Sequence, residues 1–431
     1  MKAIGRTKGK LCSKNIPIDF KGGNPIMKKL LAVLLAAIMV FALAACGGEK
    51  EDNTSAPEGS SSEAPTNTDY KVAMITDYGD ITDESFNQTT YEACKAFCDE
   101  NKVGFSYFKP AGDSTADRVA MIDKAVAEGY NVIVMPGYAF GGAIFEAAPK
   151  YADVKFIALD VGKGDILETA VQAKGEKYSY APDDYKLEDY ADLKNVYCAI
   201  YQEELCGYMA GYAAVKLGYE KLGFLGGMAV PAVVRYGYGF VQGVDAAAKE
   251  LDKNVDLNYV YGGVFAGDPD ITAVMDTWYK NGTEVVFACG GGIYTSAAEA
   301  AKKAGGKVIG VDVDQAAIID GKYGEGITVT SAMKGLYPAT YDTLKAVILD
   351  GKWADYAGKI ETLGLVSGDD VEANYVQIPV KSTQFEDGKF TKDDYAKLVK
   401  DMFDGKIKVS NDISKMPAVT NVKISEQDQI K

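Results

Sequence analysis

The chain has 431 residues, 47% of them hydrophobic and 25% charged, which is too long for one ordinary domain and apolar enough to bury a sizeable core. Its formal net charge of −15 argues against nucleic acid or another polyanion as a partner, and solubility is the simplest account of it. There is no histidine, which excludes Ser-His-Asp and Cys-His catalysis, His-ligated zinc and the usual proton shuttle near neutral pH.

Lys28 and Lys29 precede an unbroken apolar run from Leu30 to Ala45, short for a membrane span but suited to the core of a signal peptide. The run ends Leu43-Ala44-Ala45-Cys46, which resembles the lipobox of bacterial lipoproteins. The resemblance implies that residues 1–45 are a signal peptide, with Met27 as a possible start, and that Cys46 is lipidated and anchors the chain to the extracellular face of the cell membrane. Residues 1–45 carry eight Lys/Arg and one Asp, so the remainder holds 38 basic and 60 acidic residues, a net −22. Residues 46–69 have no large apolar side chain and are rich in Ser, Thr, Pro, Glu and Gly, so they read as a flexible tether.

From Tyr70 onward, short apolar runs alternate with amphipathic segments. The patterning predicts ten strands, at 71–76, 104–108, 132–135, 155–159, 196–201, 221–225, 257–261, 285–288, 308–311 and 327–330. It predicts helices at 85–101, 115–129, 142–151, 203–217, 233–251, 270–281, 294–304 and 336–349. Fully apolar strands flanked by helices imply parallel sheets covered on both faces. Ten strands suit two doubly wound α/β lobes with a ligand cleft between them, taken as 70–195 plus about 313–350, and 196–312 plus about 351–431. Residues 161–194, acidic and Tyr-rich, read as a long surface excursion. Cys94 and Cys98 fall on one helix face; no CxxC pair or zinc-ligand spacing occurs, and Cys198, Cys206 and Cys289 read as small buried hydrophobes.

In open α/β sheets a ligand sits beyond the carboxyl ends of the strands. Those ends are chemically rich: Thr76-Asp77-Tyr78-Gly79-Asp80, Met135-Pro136-Gly137-Tyr138, Leu159-Asp160, Cys289-Gly290-Gly291-Gly292, Val311-Asp312 and Met333-Lys334. A cleft between lobes would gather them. Blander readings compete. Asp77, Asp80, Asp83 and Glu84 suit a helix N-terminus, Phe86 and Tyr236 suit a core, Asp314 suits a cap, and Lys334 suits an exposed surface.

The segments TDYGDITDESFNQ (76–88), VRYGYGFVQGV (234–244), IGVDVDQ (309–315) and TSAMK (330–334) together resemble the basic membrane lipoprotein family, whose members include nucleoside receptors. The resemblance implies two α/β lobes joined by three crossovers, and a nucleoside, purine favoured, held between them. It implies that Phe86 and Tyr236 sandwich the base, that Asp77 and Asn87 bond its edge, and that Asp312 and Lys334 hold the ribose. Asp160 and the Gly290–Gly292 turn would line the site; Tyr138 joins the candidates from its place at a strand's carboxyl end. The resemblance further implies an ABC permease and ATPase as partners, no cofactor or metal, and no enzymatic activity. It leads one to expect Phe at 236, where this chain carries Tyr.

The residue types suit such a ligand independently of the family. Flat bases want aromatic faces, and vicinal hydroxyls want a carboxylate acceptor and a cationic donor. Phosphate would want a P-loop, and no GxxxxGK[ST] occurs. Riboflavin, another heterocycle or a sugar is the alternative ligand. A surface adhesin, and a hydrolase using the DYGDITDE run with calcium, are the alternative functions.

Overall fold

A computed structural model describes residues 69–431. The signal peptide, Cys46 and the tether expected before Asp69 lie outside the described residues. Among the described residues, no helix is long and apolar enough to cross a membrane.

All ten expected strands form: β1 (Lys71–Ile75), β2 (Gly104–Phe108), β3 (Val132–Pro136), β4 (Lys155–Leu159), β5 (Val196–Tyr201), β6 (Lys221–Gly226), β7 (Val255–Tyr261), β8 (Val285–Cys289), β9 (Lys307–Asp312) and β10 (Thr328–Lys334). Three further strands lacked an apolar run: β11 (Lys359–Leu363), the two-residue β12 (Val376–Gln377) and β13 (Val422–Glu426). Each ends or nearly ends a sheet, where exposed polar side chains are tolerated. The first sheet runs β11-β5-β4-β3-β1-β2 and the second β12-β10-β9-β8-β6-β7-β13. Every pairing is parallel except β10 with β12.

The apolar strands read as they do because both faces are buried. In β1, Val72 and Met74 enter one core cluster and Ala73 and Ile75 another; in β3, Val132 and Val134 part from Ile133 and Met135 in the same way. Within 161–194, the segment Lys163–Ala173 is a helix rather than loop. Its buried Ile166, Leu167, Ala170 and Val171 recur at helical spacing, and the surrounding polar residues hid them. The excursion resumes after it, with Tyr178 buried against Leu167 and Val171.

The chain changes lobe elsewhere than at 195, 312 and 350. β5 belongs to the first sheet, and the helix after it, Glu203–Lys216, packs on Pro231–Glu250 in the second lobe. β10 stays in the second sheet, whereas helix Leu336–Ile348 returns to pack on Phe86–Asn101, with Tyr341 edge-on to Phe97 at 5.5 Å. β11 joins the first sheet and β12 the second. The crossings therefore follow strands β5, β10 and β11. Sheet pairing sets them, and pairing is a non-local property.

Helices Glu203–Lys216 and Pro231–Glu250 meet almost backbone to backbone. A Cβ on Gly207 would fall 2.3 Å from the Tyr236 carbonyl oxygen, one on Gly211 2.4 Å from that of Phe240, one on Gly239 2.1 Å from that of Glu204, and one on Gly243 2.0 Å from that of Tyr208. Glycine at a four-residue spacing on both helices permits this crossing, which carries Glu203 and Tyr236 to the cleft. Gly243→Ala forces the helices apart and is expected to cost about 1–3 kcal/mol, read as a lower urea midpoint at unchanged slope.

Candidate functional site

Strand ends from both sheets enclose a cavity of about 530 Å³. All nine residues singled out from the sequence line it: Asp77, Phe86, Asn87, Tyr138, Asp160, Tyr236, Gly290, Asp312 and Lys334. The volume lies within the usual range for small-molecule sites, about 300–1,000 Å³.

At the end of β1, Asp77 turns its carboxylate back on its own loop. Its Oδ1 accepts from the amides of Tyr78 and Gly79, both at 2.6 Å, and from Asn87 Nδ2 at 3.1 Å. Asp83 caps the helix Phe86–Asn101, accepting from the amides of Ser85, Asn87 and Gln88 and from Asn87 Nδ2. Burial raises the Asp83 carboxyl's pKa while those hydrogen bonds pull it back. Two carboxylates can only accept, so the Asn87 amide nitrogen must face them. Its buried Oδ1 is left with no partner in the protein.

β4 and β9 occupy matching positions in the two sheets, and both end in an aspartate with left-handed backbone: φ is 60° at Asp160 and 65° at Asp312. Aspartate tolerates this region better than most residues. The strained turns set both carboxylates in the cleft rather than in the sheet. The preceding strands match likewise. β3 is followed by Gly137 (φ 125°) and β8 by Gly290 (φ 138°), a conformation open to glycine.

Lys334, at the end of β10, reaches between the aspartates. Its Nζ is ion-paired with Asp160 Oδ2 and lies 3.6 Å from both Asp312 Oδ1 and Glu203 Oε1. The same ammonium sits over the rings of Phe86 at 4.7 Å, Tyr201 at 5.5 Å and Tyr236 at 5.6 Å. Glu203 Oε2 accepts from Arg235 Nε at 2.6 Å. Burial opposes the charge on Lys334, but the three carboxylates outweigh it and raise its pKa. Burial pushes Asp160 up, against the pull of Lys334. Asp160 Oδ1 and the Tyr201 hydroxyl are buried without a partner.

Several bonds cross the cleft. Ser85 Oγ donates to Asp312 Oδ2 at 2.6 Å, Gln315 Nε2 donates to the Glu84 carbonyl at 3.1 Å, and the hydroxyls of Tyr78 and Tyr138 reach Met228 Sδ at 3.5 and 3.9 Å.

Tyr236 is placed differently from a residue that stacks on a base. It is 1% exposed, its ring meets Phe287 edge-on at 6.0 Å, and its hydroxyl is 3.4 Å from Asp312 Oδ1, so it forms the floor beneath Lys334. A second phenyl ring in the wall comes from Phe265, which sequence reasoning missed. It follows β7 in a loop with glycines at 262, 263 and 267, and that aromatic among glycines at a strand's carboxyl end was the available signal. The ring lies so close to Gly227 and Gly290 that a Cβ there would fall 2.3 and 2.7 Å from it, and the Phe265 carbonyl accepts from the Gly292 amide at 2.8 Å.

The five described cysteines are buried free thiols, and Cys289 touches the cavity. Among the described residues, no group of three or more His, Cys, Asp or Glu is placed to hold a metal ion. The cavity thus offers the rings of Phe86 and Phe265 in its wall, with Phe86 directly against the Lys334 ammonium, and carboxylates around that single lysine. Such a site can bind a neutral polar molecule.

Comparison with known proteins returns a family model over residues 70–398, described as ABC transporter substrate-binding protein PnrA-like. A Lactococcus lactis subsp. cremoris protein, "ABC transporter nucleoside-binding protein BmpA", is 27% identical over 89% of this chain and 99% of its own. Basic membrane protein D of Borreliella burgdorferi is 24% identical over 72% of this chain and 83% of its own. Among solved structures, an ABC transporter solute-binding protein from Aeropyrum pernix aligns with a TM-score of 0.57 at 19% identity, covering 79% of this chain and 87% of that one.

Two buried carboxyls beside the site, Asp165 and Glu204, are pushed by burial up to about 7. In the unfolded chain they release their protons near pH 4 (about 3.9 for Asp and 4.3 for Glu). Between those values the folded state binds more protons than the unfolded state, so stability falls as pH rises and levels off above about 7. A melting temperature several degrees higher at pH 5 than at pH 8, with the slope flattened in Asp165→Asn/Glu204→Gln, is the expected result.

Proposed function

The chain belongs to the PnrA-like family of ABC transporter substrate-binding proteins, and from that premise we propose that it captures a nucleoside, with a purine favoured, for import. The observation that carries this reading is that one cavity lining combines aromatic rings with carboxylates and a lysine. Phe86 and Phe265 supply aromatic surface, while Asp160, Asp312 and Lys334 gather at the end of β4, β9 and β10.

A purine base between the two phenyl rings gains about 1–3 kcal/mol per stack. Its edge meets Asn87 Oδ1, whose amide nitrogen is already committed to Asp77 and Asp83, so the base supplies a donor there. The ribose hydroxyls lie among Asp160, Asp312 and Lys334, where a carboxylate accepts and an ammonium donates; such bonds to charged groups contribute about 1.5–3 kcal/mol each. Asp160, Asp312 and Glu203 already surround the single lysine of the lining, which leaves no free cation for a phosphate and favours a nucleoside over a nucleotide. The name of the lactococcal relative agrees with this choice. The family is one of substrate-binding proteins, so the chemistry here is reversible capture, followed by delivery to a permease and its ATPase.

The same reading holds the protein on the extracellular face of the cell membrane through a lipid on Cys46, with the following segment as tether. Relatives named as lipoproteins agree. Metabolic labelling with palmitate, lost in Cys46→Ser, tests the anchor; retained label in that variant would refute it.

Ligand identity is tested by thermal shift on residues 69–431. A purine nucleoside at 100 times its dissociation constant should add about 2.7 kcal/mol of stability. Phe265→Ala should weaken it by about 1–3 kcal/mol, and Asp312→Ala should abolish the shift. Nucleoside monophosphates should give little. A shift confined to riboflavin or a sugar would replace the ligand named here.

A further inference from the structure

The two sheets share one strand order, β1 matching β6, β2 matching β7, β3 matching β8, β4 matching β9 and β5 matching β10, and differ at both edges: β11 runs parallel to β5 whereas β12 runs antiparallel to β10. β2 ends the first sheet, whereas β7 in the second is covered by β13. β13 pairs in parallel with β7, from Val422 opposite Val255 to Glu426 opposite Tyr259.

The ladder continues past β13. The Gln427 amide donates to the Tyr259 carbonyl at 2.9 Å, and the Ile430 amide to that of Tyr261 at 3.0 Å. Ile430 packs against the cluster containing Val260 and Ile271. Lys431 Nζ then reaches Asp268 at 2.9 Å and Asp270 at 3.2 Å. Its carbonyl oxygen lies so near Gly263 (φ 87°) that a Cβ there would sit 2.6 Å away.

Between Tyr261 and Asp268 runs the loop that puts Val264, Phe265 and Ala266 in the cavity wall. Three of its residues are glycines, so ordering it is costly in backbone entropy. From inside it is held by Gly262 N on the Gly226 carbonyl (2.7 Å), Gly263 N on that of Gly227 (3.0 Å) and Gly292 N on that of Phe265 (2.8 Å). From outside it is held by residues 427–431.

We infer that residues 427–431 are a positioning element of the cavity: they clamp the 262–267 loop from outside and keep the Phe265 ring seated against Gly227 and Gly290. The two backbone bonds anchor the segment on β7 at the loop's entry, Ile430 packs on the cluster that also takes in the loop's Val264, and the Lys431 carbonyl and Gln429 Nε2 lie against Gly263, whereas the exposed Lys431 ion pairs contribute little. The binding consequence rests on the reading of this cavity as the ligand site; the ordering of the loop does not.

The test compares the full chain with one ending at Glu426, and with Ile430→Ala in case the truncated chain folds poorly. Trp278 Nε1 lies 3.3 Å from Gln427 Oε1, so a change in tryptophan emission reports that the segment has left its seat. In ligand-free protein, amides of 262–268 should exchange with deuterium about tenfold faster while those of β1 and β3 keep their rates. Guanosine should dissociate about tenfold faster, and that gain should vanish when Phe265→Ala is already present, since both changes act through one ring. Unchanged exchange in 262–268, or the same acceleration of release in the Phe265→Ala background, overturns the inference. If the intact protein binds no nucleoside, the ligand reading fails, and the exchange rates decide the clamp by themselves.

Discussion

One ammonium group organises this molecule. Lys334 stands where the chain leaves β10 to cross between lobes, and its charge is buried among Asp160 from the first sheet, Asp312 from the second, and Glu203 just past the β5 crossing. Burying a charge is tolerable only with partners this close, and removing the lysine would leave Asp160 and Asp312 buried without their cation. Carboxylates from both lobes share one cation, so the network fixes how the lobes meet at the cavity. The aromatic rings of Phe86, Tyr201 and Tyr236 exclude water from it and strengthen each pairing.

Much of the surrounding architecture serves that placement. The left-handed turns at Asp160 and Asp312 are strained, and they end matching strands of two similar sheets. The glycine-lined crossing of helices Glu203–Lys216 and Pro231–Glu250 brings Glu203 and Arg235 together behind the lysine. The crossing also sets Tyr236 as a floor whose hydroxyl faces Asp312. Strain and close packing at the site are balanced by the large apolar clusters on both faces of each sheet.

The opposite wall follows a different logic. Asp77 and Asp83 spend their carboxylates on loop amides and on Asn87, so they act as a frame rather than as a charge presented to a ligand. What remains for recognition is a carbonyl oxygen and aromatic surface, which suits a flat neutral group.

Nine of the ten predicted strands were legible in the sequence because their burial leaves near-continuous apolar runs, β2 being an edge strand with only Phe108 buried, and the chemistry at the carboxyl ends was legible because polar residues there have nowhere else to go in a doubly wound sheet. All nine residues named from those ends and from the family resemblance line one cavity. β11 and β13 escaped notice because edge strands carry no such run, and the lobe crossings at β5 and β10 escaped because strand pairing joins residues far apart in the chain. The roles of Tyr236 and Phe265 likewise depended on packing: a helix crossing decided which ring became floor, and Gly227 and Gly290, from two separate loops, decided which ring reached the wall. Local pattern records what each segment must bury, whereas only the assembled fold decides which segments bury it together.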